Sequence, residues 1–146
     1  MQFFTPTTIL IATILGFGFG ALWYSPALFM RAWLMGEGIE KSELPKRSKM
    51  YMIQINVYSF LAHGAMASVV ALMLELLQVS SLKVALVLGG LLTLGFMVTT
   101  NFINMVYTTE GVHYSRKHQI KFLVNSGYYI CVISIMSATV FLLGYS

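Results

Sequence analysis

The chain has 146 residues, of which 58% are hydrophobic and 10% charged, with a formal net charge of +4. Soluble domains carry about 25% charged residues, so this composition argues against an ordinary soluble domain. Residues 1–30, 50–74, 84–109 and 122–146 contain no Asp, Glu, Lys or Arg, and each run exceeds the roughly 20 residues that an α-helix needs to cross the hydrocarbon.

The expectation is one all-α domain over residues 1–146, a four-transmembrane-helix bundle with a short interfacial helix after the first span. The first span is expected over residues 6–24. Thr5 before Pro6 reads as a helix cap followed by proline at the first helical position. No basic n-region precedes this span and no small-residue cleavage site follows it, so it reads as a retained helix rather than a leader. Ala12, Gly16 and Gly20 recur every four residues and form a stripe of small side chains where another helix can approach closely. The stripe is expected to be a helix-packing face or the contact of a homo-oligomer.

Ser25-Pro26 repeats the cap-then-proline signal. It predicts the interfacial helix over residues 26–35, stopped by Gly36, with Trp23, Tyr24 and Trp33 as anchors at headgroup level. The second span is expected over residues 50–78, a tight turn at residues 79–81, the third span over residues 82–107 and the fourth over residues 119–143. Glu75 and Lys83 flank the turn and are expected to form an ion pair. Cys131 is the only cysteine, so no disulfide forms within the chain.

Charge placement sets the expected topology. Arg31, Lys41, Lys46, Arg47 and Lys49 lie between the first two spans, and Arg116, Lys117 and Lys121 between the last two. Lys83 alone lies on the other side. By the positive-inside rule both basic loops are expected to face the cytoplasm of a bacterial inner membrane and both termini to lie outside, in the periplasm. The same loops would touch anionic lipid headgroups, and membrane lipids are the expected partners. Nucleic acid is not.

Polar side chains at membrane depth are costly, so they are where function would sit. On the expected topology Asn56, Asn101, Asn104 and Asn125 fall within about two turns of the basic-loop surface. Ser59 and His63 share a face with Asn56, and Tyr128 lies near Asn125. These seven residues form the candidate ligand or ion cavity. Two readings fit them: interhelical glue, or a polar cavity for a small solute, ion or lipid headgroup. His63 reads as a satisfied core histidine or as a proton relay. No nucleophile–base pair, carboxylate pair or metal-ligand set appears in the sequence, so no catalytic residue, metal or cofactor is assigned.

The string Gly20-Ala-Leu-Trp23-Tyr24-Ser25-Pro26 with Phe29 and Trp33, together with residues 101–110 and Lys121-Phe-Leu-Val-Asn125-Ser-Gly-Tyr128, resembles the two signatures of a bacterial family of small membrane proteins called domain of unknown function 1761. The resemblance covers most of the chain and implies a four-helix inner-membrane protein. It carries no activity, so no functional residue transfers from it. Function therefore stays open between an oligomeric conduit for a small solute or ion, a structural or lipid-binding partner protein, and a membrane enzyme or redox protein.

Overall fold

The structure, a computed structural model, describes residues 2–40, 48–107 and 115–145. Among these every regular element is helical: α1 (Pro6–Trp23), α2 (Met30–Glu37), α3 (Lys49–Leu76), α4 (Leu82–Leu92), a π-helical segment (Thr93–Val98), α5 (Thr99–Val106) and α6 (Arg116–Tyr145). Four helical runs are long and apolar enough to cross a membrane: α1, α3, the continuous run Leu82–Val106, and α6. Lys41, Lys46, Arg47 and Glu110 lie outside the described residues.

Local chemistry sets the helix ends. Thr5 accepts the Thr8 amide at 3.1 Å, Ser48 the Tyr51 amide at 3.2 Å, and Ser81 the Val84 amide at 3.3 Å. After α3 the Val79 amide returns to the Leu74 carbonyl and the Gln78 amide to the Glu75 carbonyl. This pair of bonds is a Schellman closure, with Gln78 in the left-handed region at φ 48°. It ends the second span at Leu76, earlier than residue 78. The fourth span begins at Arg116 rather than residue 119, because the Ser115 carbonyl accepts the His118 and Gln119 amides.

The interfacial helix also differs from expectation. The Ser25 carbonyl accepts both the Leu28 and Met30 amides, and Phe29 bonds back to Trp23, so residues 25–29 make turns and the helix starts at Met30. Gly38, at φ 69°, stops it. Gly36 lies inside the helix instead, pressed so closely on α6 that an added Cβ would stand 2.9 Å from the Lys121 backbone.

α6 is the central element and packs on every other helix. It brings bulk (Val132, Ile133, Met136, Val140, Phe141), whereas its neighbours offer small residues such as Ala12, Ala67, Ala71 and Ala85. Without a hydrophobic drive between helices in lipid, such close small-against-large packing supplies the attraction. The termini meet at one end of the bundle. The Gln2 amide donates to Gly144 at 3.1 Å, and Phe3 stacks on Phe141 at 5.9 Å. At that end the Glu75 carboxylate accepts the Phe4 amide at 2.7 Å. Glu75 thus ties down the N-terminal segment, and the expected Glu75–Lys83 ion pair does not form. The ion pair recorded among the described residues joins Lys121 to Glu37 at 2.8 Å, at the opposite end.

Candidate functional site

The glycine stripe of α1 is occupied within the subunit. A Cβ at Gly16 would stand 2.3 Å from the Met136 methyl, and one at Gly20 would stand 2.9 Å from the Tyr128 hydroxyl. Ala12, Gly16 and Gly20 are buried. The stripe packs within the subunit, against α6 and His63 of α3.

The close approach brings His63 and Tyr128 together across the bundle. His63 Nδ1 lies 2.7 Å from the Ser59 carbonyl oxygen, and Nε2 meets the Tyr128 hydroxyl. A carbonyl only accepts, so Nδ1 carries the proton and donates. In the neutral ring Nε2 is then an acceptor, and Tyr128 donates to it. Both ring nitrogens are satisfied, in line with a core histidine.

Around this pair the polar residues divide between two clefts, one on each side of α6. The first has a volume of about 360 Å³ and is lined by Asn101, Asn104, His118, Lys121, Phe122 and Asn125 among others. The second, also about 360 Å³, lies between α1, α3 and α6, with Asn56, Ser59, His63, Tyr24, Tyr128 and Tyr129 in its lining. The four asparagines therefore do not converge on one point. Asn56 sits on α3, and α3 does not pack closely on α5, which leaves it in the second cleft. One hydrogen bond spans the divide: the Tyr24 hydroxyl donates to Asn125 Oδ1 at 3.1 Å. Burial, with the Tyr129 and Tyr128 phenols and the Glu37 carboxylate adding to it, raises the Tyr24 phenol above its ordinary value and keeps it a neutral donor.

The carboxamides differ in how they are satisfied. Asn125 has Tyr24, and Asn101 Nδ2 reaches the Ser126 hydroxyl at 3.4 Å. Asn56 and Asn104 are exposed and make no side-chain hydrogen bond among the described residues. Interhelical glue would pair them.

The three aromatic residues expected at headgroup level have partners inside the protein. Trp23 donates from Nε1 to the Val124 carbonyl at 3.2 Å and packs on Phe29 at 4.3 Å. Tyr24 and Trp33 meet edge to face at 6.1 Å. They form an aromatic wall between α1, α2 and α6, behind the second cleft.

Sequence reasoning missed Lys121 and His118 as lining residues. Lys121 counted only as a topology charge, and His118 fell just outside the expected fourth span. The signal was present in Ser115, whose capping carbonyl extends α6 far enough to turn His118 toward the cleft. The π-helical segment was also missed. Thr93 donates its hydroxyl to the Gly89 carbonyl at 2.8 Å, and Thr99 donates to Gly95 at 2.7 Å, so side chains compete for carbonyls through a glycine-bearing stretch. Such segments recur at functional sites. Among the described residues no three His, Cys, Asp or Glu side chains come together as a metal site.

A family model described as "Protein of unknown function (DUF1761)" matches residues 7–141. No curated protein and no solved structure matches the chain. The chain belongs to that family.

Proposed function

We propose that this family member is a multi-pass membrane protein that takes a polar group, a headgroup or a small solute, into the cleft between α5 and α6 from the side of its basic loops, with those loops cytoplasmic and both termini outside. The observation that carries the reading is the Asn104 carboxamide, without a partner among the described residues and set in a cleft beside Asn101, Asn125, His118 and Lys121. A side chain kept for helix association would have a partner, whereas one kept for a ligand is left free until the ligand comes.

Binding fits better than conduction through one subunit. The polar residues occupy the half of the bundle that ends in α2 and the start of α6. Beyond His63 the interior is mostly apolar, with Ala67, Val70, Ala71, Leu74, Val132, Met136 and Val140 buried. Its buried Thr13 and Thr93 spend their hydroxyls on carbonyls of their own helices, and Ser137 is the isolated polar group among them. Ion and solute pathways need polar lining along their length. The charge asymmetry supports the orientation, and the meeting of Gln2 with Gly144 accords with an even number of crossings.

Native mass spectrometry of the purified protein in mild detergent tests the proposal. Wild type is expected to retain a co-purifying small molecule or lipid that Asn104→Leu loses, at unchanged thermal stability. Identical spectra for the two proteins would refute it.

A further inference from the structure

The polar cleft is not isolated. An apolar groove of about 250 Å³ lies deeper on the same seam, lined by Ala65, Met66, Val69, Thr93, Met97 and Ile133 among others. It runs between α3 on one side and the π-helical segment on the other, with α6 as its floor. Thr93 contributes no free polar group, because its hydroxyl is committed to the Gly89 carbonyl. The groove and the cleft share two helical faces. Met97 in the groove and Asn101 in the cleft are one turn apart, and Phe122 in the cleft and Ile133 in the groove are three turns apart on one side of α6.

From this juxtaposition we infer that the ligand is an anionic glycerophospholipid, its phosphate held in the cleft and one acyl chain laid in the groove. The inference rests on the polar-group reading above and names the chemical class. Depth supports it. Asn125 and Ile133 are separated by about 12 Å along α6, and the headgroup layer of a bilayer is about 5–7 Å thick on each side. A group bound at Asn125 is therefore at the headgroup boundary when the groove at Ile133 is within the hydrocarbon.

Charge selects the headgroup. Lys121 lines the cleft, and its ammonium has two donors left after Glu37 takes one. Arg116, exposed, lies just outside on the first turn of α6, where the helix dipole also favours an anion and which itself carries no acidic residue. The carboxamide N–H groups of Asn101 and Asn104 add neutral donors suited to phosphate oxygens. A free phosphate would use the cleft and leave the groove without purpose. α3 and the π-helical segment do not pack closely on each other, and the groove between them gives an acyl chain a lateral entry from the bilayer.

The test uses purified full-length protein in a neutral detergent and three probes: phosphatidylglycerol, phosphatidylethanolamine and water-soluble glycerol 3-phosphate. Binding is read by native mass spectrometry and by thermal protection. Phosphatidylglycerol is expected to bind roughly tenfold or more tightly than phosphatidylethanolamine. Ala65→Trp, at an exposed position on the groove wall, should reduce that binding several-fold, with Val69→Phe as a second blocking variant. Lys121→Gln/Arg116→Gln should remove the preference for the anionic lipid, whereas Asn101→Leu/Asn104→Leu should weaken retention of both lipids. Equal retention of both lipids, or full retention by both groove variants, would mean bulk annular lipid only and would overturn the inference. If glycerol 3-phosphate still protects wild type but not Asn101→Leu/Asn104→Leu, the polar-group reading stands without the lipid. If no probe separates that variant from wild type, the polar-group reading falls as well.

Discussion

Alanine at position 20 probes the packing on which the site depends. Its Cβ would stand 2.9 Å from the Tyr128 hydroxyl oxygen and 3.5 Å from His63 Nε2. Carbon and oxygen settle at about 3.3–3.6 Å, so the hydroxyl must retreat by about half an ångström, and its bond to His63 must readjust. Overpacking of this kind costs about 1–3 kcal/mol, and the strained interhelical hydrogen bond adds about 0.6–2 kcal/mol. Against this, alanine improves on glycine in a helix by up to about 1 kcal/mol. The net expectation for Gly20→Ala is a loss of about 1–3 kcal/mol. Gly18→Ala is the control, since its Cβ meets nothing within 4 Å, and it should be neutral or slightly stabilising. Both variants can be unfolded in mixed micelles and followed by the fluorescence of Trp23, which packs 6.3 Å from Tyr128. Subunit mass in detergent is measured in parallel. Were Gly20→Ala to unfold like Gly18→Ala while only the assembly dissociated, the intramolecular glycine face would be wrong.

Three further outcomes follow from the same geometry. Gly36→Ala should destabilise by about 1–3 kcal/mol in thermal denaturation, because three Lys121 atoms, two of them backbone, stand 2.9 Å from the new Cβ and a main chain yields less than a side-chain tip. Gln78→Gly should stabilise by about 0.5–1 kcal/mol in the same assay, since it relieves the left-handed conformation at φ 48°. Asn125→Leu, which strands the Tyr24 hydroxyl, should cost about 1–2 kcal/mol, whereas Asn56→Leu should leave stability within about 0.5 kcal/mol.

The spans were legible because lipid demands long apolar helices, and charge-free runs of that length have no other common use. The cap at Thr5 and the turn after α3 followed from the same reading. What stayed hidden depended on which residues meet. The Ala12–Gly16–Gly20 stripe announces close packing but not the partner, and its partner is Tyr128 and Met136 on the same chain. Glu75 and Lys83 are near in sequence, yet the carboxylate is taken by the Phe4 amide, from a segment that only the tertiary fold brings there. The expected common depth of the asparagines was readable from helix rise. Their division between two sides of α6 was not, because depth along a helix says nothing of azimuth between helices. The aromatic residues at Trp23, Tyr24 and Trp33 carry the composition of lipid anchors, and their inward turn follows from the bend at Ser25-Pro26 and from Val124 and Asn125 waiting opposite.

The central claim is a cleft at Asn104, whose carboxamide has no partner among the described residues and which opens, on the proposed topology, toward the side of the basic loops. Asn104→Cys in a Cys131→Ser background places a single thiol there, and a membrane-impermeant maleimide can be applied to intact cells and to inverted membrane vesicles. Labelling is expected in inverted vesicles, slowed by added phosphatidylglycerol, and absent in intact cells. Labelling from the outside of intact cells, or no labelling from either side before detergent is added, would contradict the account.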